Sequence, residues 1–323
     1  MDTLVLALVS IAVGLVVGLL SGLLGIGGGT ILVPTFKLGY LMDSIACTAT
    51  SLFTIIPTSI SGAISHLRNK TCIPALGIAA GLGGALTSSL GVWAASRSEG
   101  WMIMVGATAI ITYSACTMLR KALKLPVSEK GAFRANVRAA RERRAQERAS
   151  AAVAREGGGD ASPAPLRAAS APVSTAEAAF DPAAAALSAE PVADDFPTTP
   201  RQIVAGVLIG LVAGLASGYV GVGGGFLMVP LMIQFIHTPM KLTSGTSLIA
   251  VMILAVPGVV YQAVLGNVNW VVGIAVAAGS IPGAAIGARL TSWVPERTLR
   301  FAFGGLLLVA AVSLVANQMG LLG

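Results

Sequence analysis

The sequence contains few charged residues, and this scarcity indicates its class. Only 11% of the 323 residues are charged, whereas 55% are hydrophobic, and the mean hydropathy is +0.82. Several apolar runs approach the length of about twenty residues that a helix needs to cross a bilayer. These values argue against an ordinary soluble domain and predict an all-α polytopic membrane protein.

Acidic side chains are absent from the interior of the apolar segments. Asp43, Glu99 and Glu296 all lie at predicted segment ends. A proton relay or a metal path lined by carboxylates is therefore not indicated, and we expect no metal and no other cofactor. The sequence also lacks H-E-x-x-H and G-x-S-x-G motifs, so an intramembrane enzyme is not favoured.

Cysteine is scarce as well. Cys47, Cys72 and Cys116 lie in or beside apolar segments, and they are odd in number with no framework spacing. We therefore interpret them as small core residues rather than as disulfide partners.

Glycine, by contrast, is concentrated in two copies of one motif. GIGGGTILVP occupies residues 25–34, and GVGGGFLMVP occupies residues 221–230, which lie 196 positions later. Flanking elements recur at the same displacement: Ser21-Gly22 as Ser217-Gly218, and Thr50-Ser51-Leu52 as Thr246-Ser247-Leu248. A repeat of this extent predicts two equivalent halves.

Each glycine triplet predicts a break in a membrane helix, because glycine costs roughly 1 kcal/mol per residue relative to alanine. In lipid such a break survives only against protein or a water-filled cavity. Transporters aim paired half-helix ends of this kind at a substrate near the midplane. The predicted substrate-binding glycines are Gly27, Gly28, Gly29, Gly223, Gly224 and Gly225. Close helix packing through small residues is the alternative.

The predicted site suits an anion, because N–H groups at the start of a half-helix favour negative charge. The predicted site also includes four hydroxyl groups that could donate hydrogen bonds to the oxygens of an oxyanion. They belong to Thr50, Ser51, Thr246 and Ser247. Their alternative role is a hydrogen bond to a carbonyl one turn back. A phosphate loop is not favoured, since no Gly-Lys-Ser/Thr follows either motif.

Three further residues are candidate gates. His66 aligns with Gln262 across the repeat, and both are either polar gates or, as the favoured interpretation, interfacial side chains at turns. Arg289 either steers anions at the cytoplasmic mouth or anchors a helix end at the interface. His237, beside Thr238-Pro239, is expected to be exposed.

Each half is predicted to contain five apolar segments. They are residues 3–24, 30–41, 44–65, 73–95 and 101–119, then 203–220, 226–236, 242–265, 268–288 and 301–316. Segment 30–41 would be roughly 18 Å long as a helix, which is shorter than a bilayer core. Pro57 is predicted to interrupt the third segment.

Residues 120–200 separate the two membrane repeats, which occupy residues 1–119 and 201–323. This linker is basic and rich in alanine and proline, and most of it is predicted to be disordered. Twelve of the 21 lysine and arginine residues lie there, so this basic charge concerns topology rather than nucleic-acid binding. The linker is either a tether or a contact for a membrane surface or partner.

Charge also predicts the orientation. Five crossings per half place Arg68, Lys70, the linker, Arg289, Arg297 and Arg300 on one side, whereas four crossings place the last three opposite the linker. The positive-inside rule favours five, and an odd number makes the repeats inverted. We expect a multi-pass inner-membrane protein with a cytoplasmic linker and both termini outside.

The paired G-[IV]-G-G-G-x-x-x-[VIL]-P motifs, each followed by [AG]-T-S-L, resemble the TauE/SafE family of membrane transporters. The resemblance covers residues 3–119 and 203–318. It implies transport, often export, of a small sulfur-containing anion such as sulfite or an organosulfonate. We expect alternating access between the two breaks, with the anion and the bilayer as partners and a homo-oligomer left open. A non-transporting sensor or scaffold acting through the linker, and an anion channel, are the alternatives.

Overall fold

The computed structural model describes residues 3–124 and 199–318 as ten α-helices and one π-helical turn. Predictions about the linker and about the two ends of the chain fall on residues 1–2, 125–198 and 319–323, which lie outside the described residues. The first half comprises α1 (Thr3–Leu24), α2 (Gly29–Gly39), α3 (Ser44–Arg68), α4 (Pro74–Ser96) and α5 (Gly100–Lys124). The second comprises α6 (Pro200–Val220), α7 (Gly225–Leu231) with the π-helical turn Met232–Ile236, α8 (Met240–Val264), α9 (Trp270–Thr291) and α10 (Glu296–Gln318).

The predicted all-α membrane class is confirmed. No strand occurs in residues 3–124 and 199–318, and every predicted apolar segment corresponds to a helix. Seven helices, α1, α3, α4, α5, α6, α8 and α9, are long and apolar enough to cross a membrane. Helices α7 to α10 each begin 196 positions after their counterparts α2 to α5, so the repeat seen in the sequence is also a repeat of helices.

The prediction that Pro57 interrupts its segment is wrong. Helix α3 continues through Pro57 from Ser44 to Arg68. A proline removes one backbone donor, but neighbouring helices and hydroxyl side chains satisfy the freed groups in membrane helices. Proline lies inside other helices too, at Pro34, Pro230, Pro257 and Pro282.

Two seams lined by glycine join helices of opposite halves. Helix α1 packs on α9, and α4 packs on α6. Cβ atoms built at Gly14, Gly18 and Gly22 would lie 2.1–2.2 Å from carbonyl oxygens of α9. The same construction at Gly210, Gly214 and Gly218 gives 2.0–2.1 Å to carbonyl oxygens of α4. The backbones therefore touch, as small residues allow in membranes.

The order of contacts gives the relative directions of the helices. Along α1, Gly14, Gly18 and Gly22 meet Val276, Ser280 and Ala284 in turn, so α1 and α9 run parallel. Helix α3 also runs parallel to α9, because Thr50 contacts Asn269 and Ser61 contacts Ile281. Since α1 and α3 run the same way, the short α2 must carry the chain back between them. The hydroxyl of Tyr40, just after α2, lies 2.7 Å from that of Ser10.

Helices α3 and α8, which are equivalent in the repeat, run in opposite directions. A Cβ at Gly62 would contact Leu248, whereas one at Gly258 would contact Leu52. Helix α8 in turn runs parallel to α4, where Gly77 and Gly81 face Thr246 and Ala250 in order. The interface between α3 and α8 therefore divides two groups of parallel helices, each drawn from both halves.

Candidate functional site

The two glycine breaks face each other inside the helical bundle. Residues 24–30 and 221–230 are all buried. A Cβ at Gly29 would lie 2.3 Å from the carbonyl oxygen of Val222, and one at Gly225 would lie 2.6 Å from that of Ile26. The structure thus brings together the two triplets that the sequence predicts as the site, Gly27–Gly29 and Gly223–Gly225.

Left-handed backbone conformations turn the chain at each break. The φ angles are 75°, 82° and 88° at Gly25, Gly27 and Gly28, and 74°, 82° and 52° at Gly221, Gly223 and Gly224. Glycine adopts such angles without the steric cost that a Cβ imposes. Gly28 and Gly224 directly precede α2 and α7, so the turns fix where both half-helices begin.

Unpaired polar groups lie in the first turn of α2 and four residues before each break. Within the described parts of the chain, the N–H groups of Gly29 and Thr30 donate to no backbone carbonyl, as expected for a helix start. The hydroxyls of Ser21, Thr30 and Ser217 also lack a partner there, although these residues are at most 1% exposed. A Cβ at Gly28 would lie 3.8 Å from Ser21 Oγ. Buried groups without partners indicate a place for water or a ligand.

Ser21, Thr30 and Ser217 were not among the predicted site residues. A signal for two of them was present, because Ser21-Gly22 and Ser217-Gly218 precede the two motifs at equivalent positions. Thr30 offered no such signal, since Phe226 occupies the equivalent position in the second half.

The predicted serine ligands contact the break of the opposite half. Ser247 Oγ donates to the carbonyl of Gly25 at 2.7 Å, and Ser51 Oγ donates to the carbonyl of Gly221. Each hydroxyl also lies 2.9 Å from the carbonyl three residues back, at Ser244 and Thr48 respectively. Carbonyl bonding, the alternative role, is therefore present in this conformation, and substrate binding by the serines stays a prediction.

Thr50 and Thr246 hold helix starts of the opposite half. Thr246 Oγ1 accepts a hydrogen bond from the N–H of Ile73 at 2.9 Å, and Thr50 Oγ1 accepts one from the N–H of Asn269 at 3.0 Å. Thr246 also donates to the carbonyl of Leu242 at 2.7 Å. These bonds occur just before α4 and α9, and a contact of either threonine with substrate stays a prediction.

We expect Thr246→Val to lower the free energy of unfolding by about 1–3 kcal/mol, because the N–H of the buried Ile73 then loses its acceptor. Thr246→Ser keeps the oxygen and should retain most of the stability. Thermal unfolding of the purified variants in detergent measures the effect. An unchanged melting temperature combined with a weakened affinity for the transported anion would instead identify Thr246 as a substrate ligand.

His66 and Gln262 lie near the ends of α3 and α8, which are opposite ends of the bundle because these helices are antiparallel. His66 Nε2 donates to the Gly22 carbonyl at 2.9 Å, and Gln262 Oε1 accepts from Asn267 Nδ2 at 2.8 Å. Both side chains are buried by protein, since His66 is 0% and Gln262 2% exposed, and their placement at the membrane interface stays a prediction. Packing against the end of α1 buries the His66 ring. Their role as gates stays a prediction.

The remaining candidates differ in exposure. Arg289 is exposed in the last turn of α9, so its role as a gate also stays a prediction. His237 is exposed as expected. Cys47 and Cys72 are buried, but the core prediction is wrong for Cys116, which lies on an exposed face of α5.

The acidic groups lie where the sequence places them. Asp43 directly precedes α3, Glu99 directly precedes α5, and Glu296 is the first residue of α10. Among the residues that the structure describes, no three His, Cys, Asp or Glu side chains form a group that could hold a metal ion. The chemistry that remains at the breaks is hydrogen-bond donation from amides and hydroxyls.

Comparison with known proteins decides the family. The family described as "Sulfite exporter TauE/SafE" matches residues 10–314, a range that includes both breaks. The chain belongs to the TauE/SafE family. The seven described helices that are long and apolar enough to cross a membrane agree with this membership.

Several curated relatives are named as probable transporters. The chain is 31% identical over 102 residues to the probable membrane transporter protein YunE of Bacillus subtilis (strain 168), covering 32% of this chain and 37% of the relative. It is 28% identical over 127 residues to a probable membrane transporter protein of Xylella fastidiosa (strain Temecula1 / ATCC 700964), covering 39% and 49%. The matched regions thus span less than half of these relatives. No solved structure matches the chain.

Proposed function

We propose that this TauE/SafE family transporter exports a small sulfur-containing oxyanion, sulfite or an organosulfonate, through a site between the two breaks. The proposal rests on the unpaired donors beside Gly28, which are the N–H groups of Gly29 and Thr30 and the hydroxyls of Ser21 and Thr30. An oxyanion offers each of them an acceptor. The N-terminal end of α2 adds a partial positive charge.

The distribution of charge supports an anionic substrate. The described carboxylates of Asp43, Glu99 and Glu296 lie at helix starts, so an anion at the breaks meets no like charge there. A membrane potential that is negative inside drives an anion outward by about 2.3 kcal/mol per charge per 100 mV. Export can therefore proceed without a proton-coupling carboxylate.

We infer that the halves are inverted repeats and that access alternates between two sides of the breaks. Two observations support this inference. The equivalent helices α3 and α8 are antiparallel, and each half supplies one serine to the break of the other, Ser51 to Gly221 and Ser247 to Gly25. Opening one side would separate one of these pairs while the other stays closed. His66 and Gln262 would then gate opposite ends.

The proposed orientation places the linker in the cytoplasm and both termini outside. The parallel course of α1 and α3 supports this orientation. Since α2 carries the chain back between them, it counts as one crossing of the membrane, and each half then crosses five times. In intact cells, an impermeant thiol reagent should modify a cysteine introduced at Gly323 but not one introduced at Ser170. The reverse pattern would contradict this orientation.

Purified protein in liposomes tests the proposed function. With an imposed potential, labelled sulfite or a small sulfonate should cross the membrane with saturable kinetics, in a direction that reverses with the potential. Flux that never saturates would favour a channel. If no member of a panel of small anions moves, the proposal is wrong, and a sensor or scaffold becomes the better interpretation.

A further inference from the structure

A cavity of about 470 Å³, lined in part by charged and polar side chains, lies at the opposite end of α7 from the glycine break. Its polar lining comes from three elements: Lys121 near the end of α5, Glu296 and Arg300 at the start of α10, and Gln234 and His237 around the π-helical turn. We call it the Lys121 cavity. It shares no lining residue with the site between the breaks.

The cavity contains more positive than negative charge. The Arg300 guanidinium pairs with the Glu296 carboxylate, and the same carboxylate accepts the N–H of Met240 at 3.0 Å. Glu296 is therefore already engaged. The Lys121 side chain is partly exposed, but its Nζ atom is buried and has no hydrogen-bond partner within residues 3–124 and 199–318. A buried ammonium without a partner is costly and requires a counter-charge.

The repeat shows that packing alone does not account for these side chains. Positions equivalent to Arg300, Gln234 and His237 in the first half are occupied by Met104, Leu38 and Leu41. Helices of the two halves begin at equivalent positions, so an apolar residue suffices at these three positions, although Lys37 occupies the position equivalent to Ile233. Packing therefore does not require the polar side chains of Arg300, Gln234 and His237.

The backbone of the cavity wall is unusual as well. The turn Met232–Ile236 is π-helical, and it ends at His237 with a left-handed φ of 60°. π-Helical turns are rare and occur frequently at functional sites. Gln234 follows Gly225 by nine residues along one helical segment, which corresponds to about 14 Å. One half-helix thus links the Lys121 cavity to the break.

We propose that the Lys121 cavity binds a small oxyanion between Lys121 and Arg300, with Gln234 as a further donor. The helix dipoles place partial negative charge at the carboxyl ends of α5 and α7, and this charge disfavours an anion. Two cations are therefore needed to bind it. The amino end of α10 carries partial positive charge and favours the anion. This site is separate from the breaks, so it does not depend on which anion is transported or on transport itself.

A cysteine reporter tests the proposal locally. Gln234→Cys is placed in a Cys116→Ser background, because the other two cysteines, Cys47 and Cys72, are buried. The purified full chain, in phosphatidylcholine nanodiscs, reacts with methanethiosulfonate reagents of similar size that are either anionic or cationic. Cationic methanethiosulfonates react intrinsically faster with a negatively charged thiolate, so each rate is divided by the rate of the same reagent with a small free thiol. After this correction we expect the anionic reagent to be favoured about tenfold. Millimolar sulfate should slow that reaction by roughly threefold or more.

Matched variants show whether the cations are responsible. Lys121→Gln and Arg300→Gln should each reduce the preference for the anionic reagent and the protection by sulfate. Arg120→Gln removes an exposed cation one residue before Lys121 and should leave both unchanged. A corrected anionic-to-cationic ratio of one or less, or protection by sulfate that persists without Lys121 and Arg300, would overturn the proposal.

A lipid phosphate offers the same chemistry as a free oxyanion, and a second arm separates them. Nanodiscs that contain phosphatidylglycerol are labelled without sulfate. Slower anionic labelling in these discs, dependent on Lys121, would support the site and identify a lipid headgroup as its occupant. Protection by sulfate in pure phosphatidylcholine would support the site and identify a free oxyanion. No protection by either would contradict the proposal.

Discussion

Gly28→Val and Gly224→Val are expected to abolish anion flux while the protein still inserts and remains monodisperse. Both positions are left-handed, with φ of 88° and 52°, and this conformation costs a residue with a Cβ about 1–2 kcal/mol. The new Cβ atoms would lie 3.1 Å from side-chain carbons of Val17 and Leu254 respectively. Side chains can shift by tenths of an ångström, so the main consequence is a changed turn that redirects the amides of the following half-helix.

Gly39→Val is the matched control for this result. It introduces the same side chain at the other end of α2, where a Cβ meets nothing within 4 Å and φ is not in the left-handed range. Flux in liposomes should match the parent, and gel filtration should show equal amounts of protein for all three variants. Gly28→Ala provides a milder version if valine reduces folding. Parent-like flux in both break variants would show that the substrate does not pass the breaks.

The positions of the breaks could be predicted because their cause is local. Three glycines in succession disfavour a helix wherever they occur, and α2 accordingly begins at Gly29 and α7 at Gly225. Helix ends and interruptions are less local: α3 extends to Arg68, beyond the predicted residue 65, and Pro57 does not interrupt it. A proline has this outcome when its neighbours satisfy the freed carbonyl, which the local sequence does not reveal.

Contacts between the halves could not be predicted. The repeat shows that Ser51 and Ser247 are equivalent, but equivalence does not say what each one touches. The structure places Ser51 on the carbonyl of Gly221 and Ser247 on that of Gly25. These partners are 170 and 222 residues apart in the sequence. The Lys121 cavity escaped prediction for the same reason, because it combines ends of three helices that are remote along the chain.

Gly214→Leu should prevent the folded protein from accumulating. A Cβ at this position would lie 2.1 Å from the carbonyl oxygen of Gly84 and 2.5 Å from its Cα. The obstructing atoms belong to the backbone, which cannot move aside like a side chain. We therefore expect the free energy of unfolding to fall by more than the ~1–3 kcal/mol that ordinary overpacking costs. The seam between α4 and α6 joins the two halves of the chain. Its loss would separate a helix of the first half from a helix of the second.

Gly305→Leu is the control, since a Cβ there meets nothing within 4 Å. It should yield parent-like amounts of monodisperse protein and a parent-like melting temperature, whereas Gly214→Leu should aggregate or fail to accumulate. A parent-like melting temperature for Gly214→Leu would contradict the close contact of α4 and α6. The two glycine experiments together separate packing from substrate binding. A packing glycine loses protein when it is enlarged, and a site glycine loses flux while the protein persists.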